Sequence, residues 1–456
     1  MVNIDWPTKG NYDPEKQKAE FISLLNMHQR NGLNALVVQI RPATDAFYPS
    51  PYEPWSEWLT GKQGRPPFPY YDPLQFMITE THKRGMEFHA WMNPYRAEFA
   101  IGTSSISPTH ITRVHPEWFL AYGGTRYFDP GNKEAQKYVT DVIRDLVRRY
   151  DIDAVHFDDY FYPYRVPGRQ FPDNESYKKY GNGLSEADWR RSNVDSIIVL
   201  LSRAIKEENK YCKFGISPFG VWRNLSTDVD GSDTKAGVTN YDDLYADILL
   251  WLKEGWIDYV APQLYWEMGH KLASFEVLVD WWSRHAFGKH VYIGHGVYRA
   301  YERNPPWKNR KELPNQISLI REYPEVHGSI FFSSKTFATN PNGWNDSLQR
   351  NYYRSPALVP PMTWIDSIAP EAPSVVKIQN GLWQLSAGNN DQVKYFVVYC
   401  SGDERSLESA SSIYKILPVE DGHAVFDNIK NQSLCSQFMV TVVSRTNVES
   451  EPVKFE

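Results

Sequence analysis

Seven apolar runs of strand length recur along roughly the first 350 residues, separated by stretches with helical periodicity. The runs are 34–41 (NALVVQIR), 87–95 (EFHAWMNPY), 154–160 (AVHFDDY), 213–219 (KFGISPF), 259–267 (YVAPQLYWE), 291–298 (VYIGHGVY) and 329–335 (SIFFSSK). Helical patterns fill 14–30, 72–84, 132–150, 185–206, 241–254, 275–285, 315–321 and 345–353. Gly32, Gly85 and Gly255 stand where helix C-caps belong, and Asp72 and Ser185 where helices start. Residues 2–6 read as the remnant of an eighth strand. Eight strand–helix units predict an α/β fold, a (β/α)8 TIM barrel over 1–354 with its first strand truncated. A doubly wound sheet is the alternative, but no Gly-rich phosphate loop follows any strand.

A chain of 456 residues exceeds one ordinary core, so a second domain is expected. After Tyr353 the texture changes to a Pro-rich linker over 355–366, then short β patterns at 381–386, 394–401, 412–417, 423–426 and 437–444. These predict a small all-β sandwich over 367–456. The segments 394–400 (KYFVVYC), 438–446 (FMVTVVSRT) and 447–451 (NVESE) resemble strands C, F and G of fibronectin type III domains, and no Ig-type Cys pair is evident. Its acids (Asp391, Asp403, Glu404, Glu408, Glu420, Asp421) fall in expected turns, and Tyr395, Tyr399 and Phe438 alternate as core residues do. The domain is expected to pack on the barrel's flank and to supply no catalytic residue. A sugar-binding module is the rival, with Trp364 and Trp383 as its platforms.

Lys and Arg number 49 against 55 Asp and Glu, a net charge of −6, which gives no footprint for a nucleic-acid partner. Three Cys (Cys212, Cys400, Cys435) make neither a disulfide framework nor a four-Cys zinc site. No apolar run is long enough to span a membrane. Nothing resembling a signal peptide follows Met1, so the expectation is a trimmed chain or a cytoplasmic one. Aromatic residues reach 15%, more than a core demands, and flat faces suit stacking on sugar rings.

Functional residues of such barrels come from the C-terminal ends of the strands. There this chain places Gln39 and Arg41, with Asp45 beyond; His89, Asn93 and Tyr95, with Arg96 beyond; His156, Asp158, Asp159 and Tyr160; Ser217, then Trp222; Gln263, Tyr265, Trp266 and Glu267; His295; and Ser333 and Lys335. So many polar side chains at one end predict a polar ligand pocket. Blander roles exist for some of them. His89 and His156 sit low enough to be hydrogen-bonded core histidines. Arg41 and Arg96 could merely pair with inward acids, and Gln263 could fill a barrel layer. The acids Asp158 and Asp159 resist such a reading, because buried carboxylates are costly unless paired or used.

Two carboxyl groups at a sugar-compatible mouth suggest glycoside hydrolysis, which needs them roughly 5–9.5 Å apart. The 154–160 and 259–267 strands are two apart, so Asp158 or Asp159 can face Glu267. No H-x-H or H-E-x-x-H spacing supports a metal site, and no cofactor is implied. The blocks 34–48 (NALVVQIRPATDAFY), 54–61 (PWSEWLTG), 89–96 (HAWMNPYR), 153–163 (DAVHFDDYFYP), 216–222 (ISPFGVW) and 258–267 (DYVAPQLYWE) resemble, in order, the glycosyl hydrolase-like 10 family of bacteria. That resemblance implies a barrel hydrolase acting on polysaccharide, with cell-wall glycan strands foremost, and usually an exported protein. It leaves the catalytic pair open, because the 291–298 strand carries Gly294-His295-Gly296 where retaining family-10 enzymes carry a Glu. Asp158 or Asp159 with Glu267 is therefore the expected pair, and a glycan-binding barrel without catalysis is the alternative.

Overall fold

The computed structural model describes residues 5–103, 105–302, 304–388, 392–400, 407, 409–428, 435 and 437–455. Its first ten strands are β1 (Ala35–Arg41), β2 (Glu87–Met92), β3 (Arg96–Glu98), β4 (Phe119–Tyr122), β5 (Thr125–Phe128), β6 (Ala154–Phe157), β7 (Lys213–Ile216), β8 (Tyr259–Val260), β9 (His290–His295) and β10 (Val326–Phe331). Seven of them form one sheet in the order β1-β2-β6-β7-β8-β9-β10. Every pairing from β2 to β10 is parallel. Each strand thus lies beside its predecessor in the sheet, with a helix between them. That continuous winding is a (β/α) barrel's; a doubly wound sheet would reverse its order. Of the expected eighth strand, residues 2–4 lie outside the described residues, and Asp5 and Trp6 are not in strand conformation.

The helices form for local reasons that the sequence carries. In Lys133–Arg149, Asn132 caps the first turn by accepting from the backbone N–H of Glu134 (2.9 Å) and Ala135 (3.1 Å), and Arg148 and Arg149 close the last turn. Val139, Val142, Ile143 and Leu146 make its buried face at helical spacing. All four residues of β6 are buried, as a parallel strand covered on both faces requires. Gly32, Gly85 and Gly255 take positive φ, as helix C-caps do.

Three local departures bear on the site. Residues 259–267 do not run as one strand: β8 ends at Val260, and Gln263 makes isolated bridges to Phe219 and Gly294. Pro262 has no N–H to continue a ladder. Residues 241–254 split into helices Asn240–Asp243 and Ile248–Lys253 around Tyr245 (φ +54°), whose ring packs on Tyr162 and whose hydroxyl accepts from Arg190. Finally, β3, β4 and β5 form an antiparallel sheet in the loop after β2 that the strand–helix rhythm did not predict. Gly123 and Gly124, both at positive φ, are the two-residue turn joining β4 to β5 and were its signal in the sequence.

Beyond the barrel strands come β11 (Ser374–Gln379), β12 (Leu382–Ser386), β13 (Val393–Cys400), β14 (Ile413–Pro418), β15 (His423–Asp427), β16 (Phe438–Ser444) and β17 (Val453–Lys454). They make two antiparallel sheets, β11-β12-β15 and β14-β13-β16-β17. Leu385, Phe396, Val398, Phe426, Val440 and Val442 fill their common core. Tyr395, Tyr399 and Phe438 are buried as expected, and Glu420 and Asp421 are exposed at a turn. Trp383 packs against Phe426 and Phe455, so it does not serve as an open platform. Asp391, Asp403, Glu404 and Glu408 lie outside the described residues. Cys400 and Cys435 form a disulfide (Cα–Cα 5.6 Å), a single bridge that the sequence reading did not propose. Its partners lie 35 residues apart, a separation that strand periodicity does not flag.

By compactness the chain divides into 1–24, 37–77 and 89–345 on one side, and 25–36, 78–88 and 346–456 on the other. Within the second unit, Lys394 Nζ meets Glu87 Oε1 at 2.7 Å, with both side chains nearly inaccessible. Removing one partner of a buried ion pair costs about 3–5 kcal/mol. Lys394→Ala should therefore lower the urea midpoint of this unit clearly; an unchanged midpoint would show the pair to be energetically idle.

Candidate active site

At the C-terminal ends of β2 and β6, the residues just past each strand converge. β6 ends at Phe157, so Asp158 and Asp159 escape the alternation that would send them to opposite faces. Both are about 95% buried. Asp158 accepts from Trp91 Nε1 (3.1 Å) and from Asn93 Nδ2 (3.2 Å to each oxygen), and more weakly from the Tyr160 backbone N–H (3.4 Å). Burial raises the pKa of Asp158, while Arg96 and these donors favour its anion. Arg96 itself is posed by a hydrogen bond from its N–H to Asn93 Oδ1 (2.7 Å) and by stacking over Phe99 and Tyr160.

Asp159 has a different environment. Tyr164 donates a hydrogen bond to its Oδ2. Burial, and next the charge of Asp158, push its pKa up to about 7, against hydrogen bonds from Tyr164 and Gln263. The two carboxyls are thus consecutive in the chain but held differently, one gripped by several donors and the other poised near neutrality. Opposed environments of this kind mark acid and base roles.

Tyr265 feels both aspartates and Tyr160. Its ring stacks on Phe332 (6.0 Å) and meets Tyr298 edge-on (5.8 Å); Trp91 also meets Phe332 edge-on (6.5 Å). Gly296 makes this possible, because a Cβ there would sit 3.0 Å from Tyr265 Cβ. The acid-free end of β9 therefore has a packing reason. Glu267 has partners of its own: Trp307 Nε1 donates to it at 3.2 Å, and Glu312 neighbours it.

Below the aspartates lies a layer of hydrogen-bonded His, Tyr and Ser side chains. Tyr259 Oη bonds Nδ1 of both His89 and His156 (2.9 Å each), and His156 Nε2 bonds Ser217 Oγ at 2.6 Å. Burial, and next the charge of His89, drive the His156 pKa down to about 3, so His156 is uncharged at neutral pH. His295 is similarly enclosed by Gln316 and Ser329, its pKa lowered to about 4 by burial. Arg41 spends its donors on Glu53 and on the carbonyls of Asn93 and Pro94. Asp45, pushed up to about 7 by burial, accepts from the Ala43 N–H and from Gln63. Trp222 stacks on Trp281 and meets Tyr241, whereas Trp266 packs on Phe219. Tyr95 is fully buried, and Gln39 is buried with both amide atoms unpaired among the described residues.

The family's sequence profile matches residues 1–312. The chain belongs to the glycosyl hydrolase-like 10 family, and it is an enzyme of the glycoside-hydrolase class. Glycosyl hydrolase YngK of Bacillus subtilis (strain 168) is 44% identical over 468 residues, spanning 100% of this chain and 91% of that protein. Glycosyl hydrolase DigH of Escherichia coli (strain K12) is 40% identical over 349 residues, 73% of this chain and 78% of that protein. Among solved structures, the PgaB (BpsB) glycoside hydrolase domain from Bordetella bronchiseptica has a TM-score of 0.45 at 12% identity, covering 74% of this chain and 94% of that one.

In this glycosyl hydrolase-like 10 chain the structure brings together Asn93, Arg96, Asp158, Asp159, Tyr160, Gln263 and Tyr265 from the sequence-derived set. It adds Trp91, Tyr164 and Phe332, which sequence reasoning missed. Trp91 shares the parity of His89 and Asn93 and was legible on that ground; Tyr164 and Phe332 sit in loops, where no periodicity applies.

Proposed function

We propose that this chain hydrolyses O-glycosidic bonds of a bacterial polysaccharide, the glycan strands of the cell wall foremost, by acid/base catalysis at the mouth of the barrel. The observation that carries the reading is the Asp158–Asp159 pair, one carboxyl gripped by Trp91, Asn93 and the charge of Arg96, the other poised as an acid. Asp159 protonates the leaving oxygen and Asp158 acts as the fixed anion. Arg96 and Tyr160 line the approach, and Tyr265 with the Trp91–Phe332 ring pair offers faces for sugar stacking. Glu267, engaged by Trp307, takes a supporting place at the rim.

The Cys400–Cys435 disulfide favours an oxidising compartment and hence export. The three- and four-stranded sheets support a fibronectin type III-like module, which serves as a spacer outside the chemistry.

The test is release of new reducing ends from a panel of polysaccharides that includes peptide-free cell-wall glycan. Asp158→Asn and Asp159→Asn should each lose about 10²-fold or more in rate, the scale of one acid–base role, with Glu267→Gln far milder. Glycan binding without any new reducing ends would replace this reading with a non-catalytic glycan-binding barrel. Deleting 367–456 should spare turnover of a short soluble oligosaccharide.

A further inference from the structure

Thr44 holds a backbone conformation that its own side chain disfavours. It lies three residues past the end of β1 at φ +51°. Among the described residues it is the one β-branched side chain at positive φ; the others there are Asn, Asp, Tyr or Phe. Gly or Asn would serve a plain turn better. Strained residues persist where their surroundings over-determine them, and they gather at working sites. Thr44 is fully buried, and so is the side chain that holds it, His110.

The partners of His110 define its proton. It is the N-cap of the short helix Ile111–Val114, and its Nδ1 accepts from the Thr112 backbone N–H at 3.2 Å. Burial lowers its pKa to about 4, so at neutral pH the ring carries a single N–H, which then sits on Nε2. Nε2 donates to Thr44 Oγ1 at 2.7 Å and, more weakly, to the Ala43 carbonyl at 3.3 Å. The Thr44 hydroxyl gives its own hydrogen to the same carbonyl (2.8 Å). A second tie reaches the turn from the same segment. Asp45 accepts from the Ala43 N–H and from Gln63, whose Oε1 accepts from the Ser107 backbone N–H (2.8 Å). Residues 107–110 thus grip the turn on both sides of Thr44.

The gripped turn meets the site through Pro42. Its carbonyl accepts from Arg96 Nε at 3.2 Å, while Asn93 Oδ1 holds the Arg96 backbone N–H. The guanidinium lies over Phe99 (4.2 Å) and Tyr160 (5.3 Å), and its charge favours the anion of Asp158. Stacking tolerates sliding across a ring face; a directed bond at Nε tolerates little.

We infer that His110 is a positioning residue for the reaction: by holding Thr44 in the left-handed region, it aims the Pro42 carbonyl at Arg96 and keeps the guanidinium beside Asp158. This rests on the glycosidase reading, in which Asp158 is the fixed anion. His110 itself bonds Thr44, Ala43 and Thr112, so it acts on the chemistry only through Arg96.

The test is kcat for reducing-end release from a glycan that the parent cleaves, in a double-mutant cycle with Arg96. His110→Asn keeps an acceptor for the helix N-terminus but is too short to reach Thr44 as well. It should lose about 10–10²-fold in kcat, with an unchanged circular dichroism spectrum. In an Arg96→Ala background the same change should cost less than about 2-fold, because the guanidinium it positions is gone. Adding Thr44→Gly to His110→Asn should recover most of the loss, since Gly takes φ +51° unaided. Thr44→Val keeps the β-branch and loses the hydroxyl; it should show the same loss and the same dependence on Arg96, and it decides the matter if His110→Asn does not fold. Parent-like kcat in these variants, equal losses with and without Arg96, or no recovery with Thr44→Gly would each overturn the inference and leave the glycosidase intact. If neither variant folds, His110 and Thr44 hold up the fold instead, and the positioning role falls. A parent that cleaves no glycan would overturn the glycosidase reading and this inference together.

Discussion

Replacing Asp159 by Asn is expected to lower kcat on a cleavable glycan by about 10²–10⁴-fold and to remove the alkaline limb of the pH profile. Asp159 must carry a proton to donate one. Burial and the neighbouring Asp158 push its pKa up to about 7, so parent activity should fall as pH rises through that value. The groups facing it are Asp158, Tyr160, Tyr164 and Tyr265, with Arg96 behind Asp158. The phenols are all raised by burial and stay neutral in this range. The adjacent carboxyls titrate as a coupled pair, so the profile reports the pair.

The same substitution should make the protein more stable at alkaline pH. A carboxyl whose folded pKa lies above its unfolded value of about 3.9 binds its proton more tightly when folded. Its contribution to stability is present below about pH 4 and is lost as pH rises toward 7. Asn carries no such penalty and still accepts from Tyr164. Asp159→Asn should therefore unfold at a higher temperature than the parent at pH 8, by at least about 1 kcal/mol of stability, with the difference shrinking toward pH 4. A variant less stable than the parent at pH 8 would mean that Asp159 is structural, and its assignment as the acid would fall.

What the sequence revealed of this site follows from where periodicity holds. Inside strands it held: the apolar runs placed all seven sheet strands. It failed at Asp158 and Asp159 because β6 stops at Phe157, and parity says nothing about a loop. It failed again at 259–267, where β8 lasts two residues and Pro262 has no N–H to continue a ladder, so parity does not say where Tyr265 and Glu267 point. The β3–β5 sheet was announced only by Gly123-Gly124, a hairpin signal outside the strand–helix rhythm. Glu53 was invisible for another reason. A loop acid becomes informative only once its partner Arg41 is known to be buried.

That Arg41–Glu53 pair should show the largest stability effect in the molecule. The side chains are 1% and 0% exposed, and Arg41 meets the carboxylate with both Nε and Nη2. Arg41→Met leaves Glu53 buried without that bidentate partner, a change that costs about 3–5 kcal/mol. Glu53→Leu strands the guanidinium at similar cost, whereas the double variant removes both charges and should recover most of the loss. Activity should not follow stability. Arg41 Nη1 also donates to the carbonyls of Asn93 (2.6 Å) and Pro94 (3.3 Å), anchoring the turn that presents Asn93 and Arg96 to Asp158. The double variant lacks that anchor, so it should unfold at nearly the parent's urea concentration yet keep a reduced kcat with KM little changed. Arg41→Lys, with Glu53 intact, should keep charge and most of the stability but only part of the turnover, because one ammonium cannot serve Glu53 and two carbonyls together. Full turnover in the double variant would show that Arg41 holds up the fold and nothing more; single variants as stable as the parent would show that the buried pair is not holding it up.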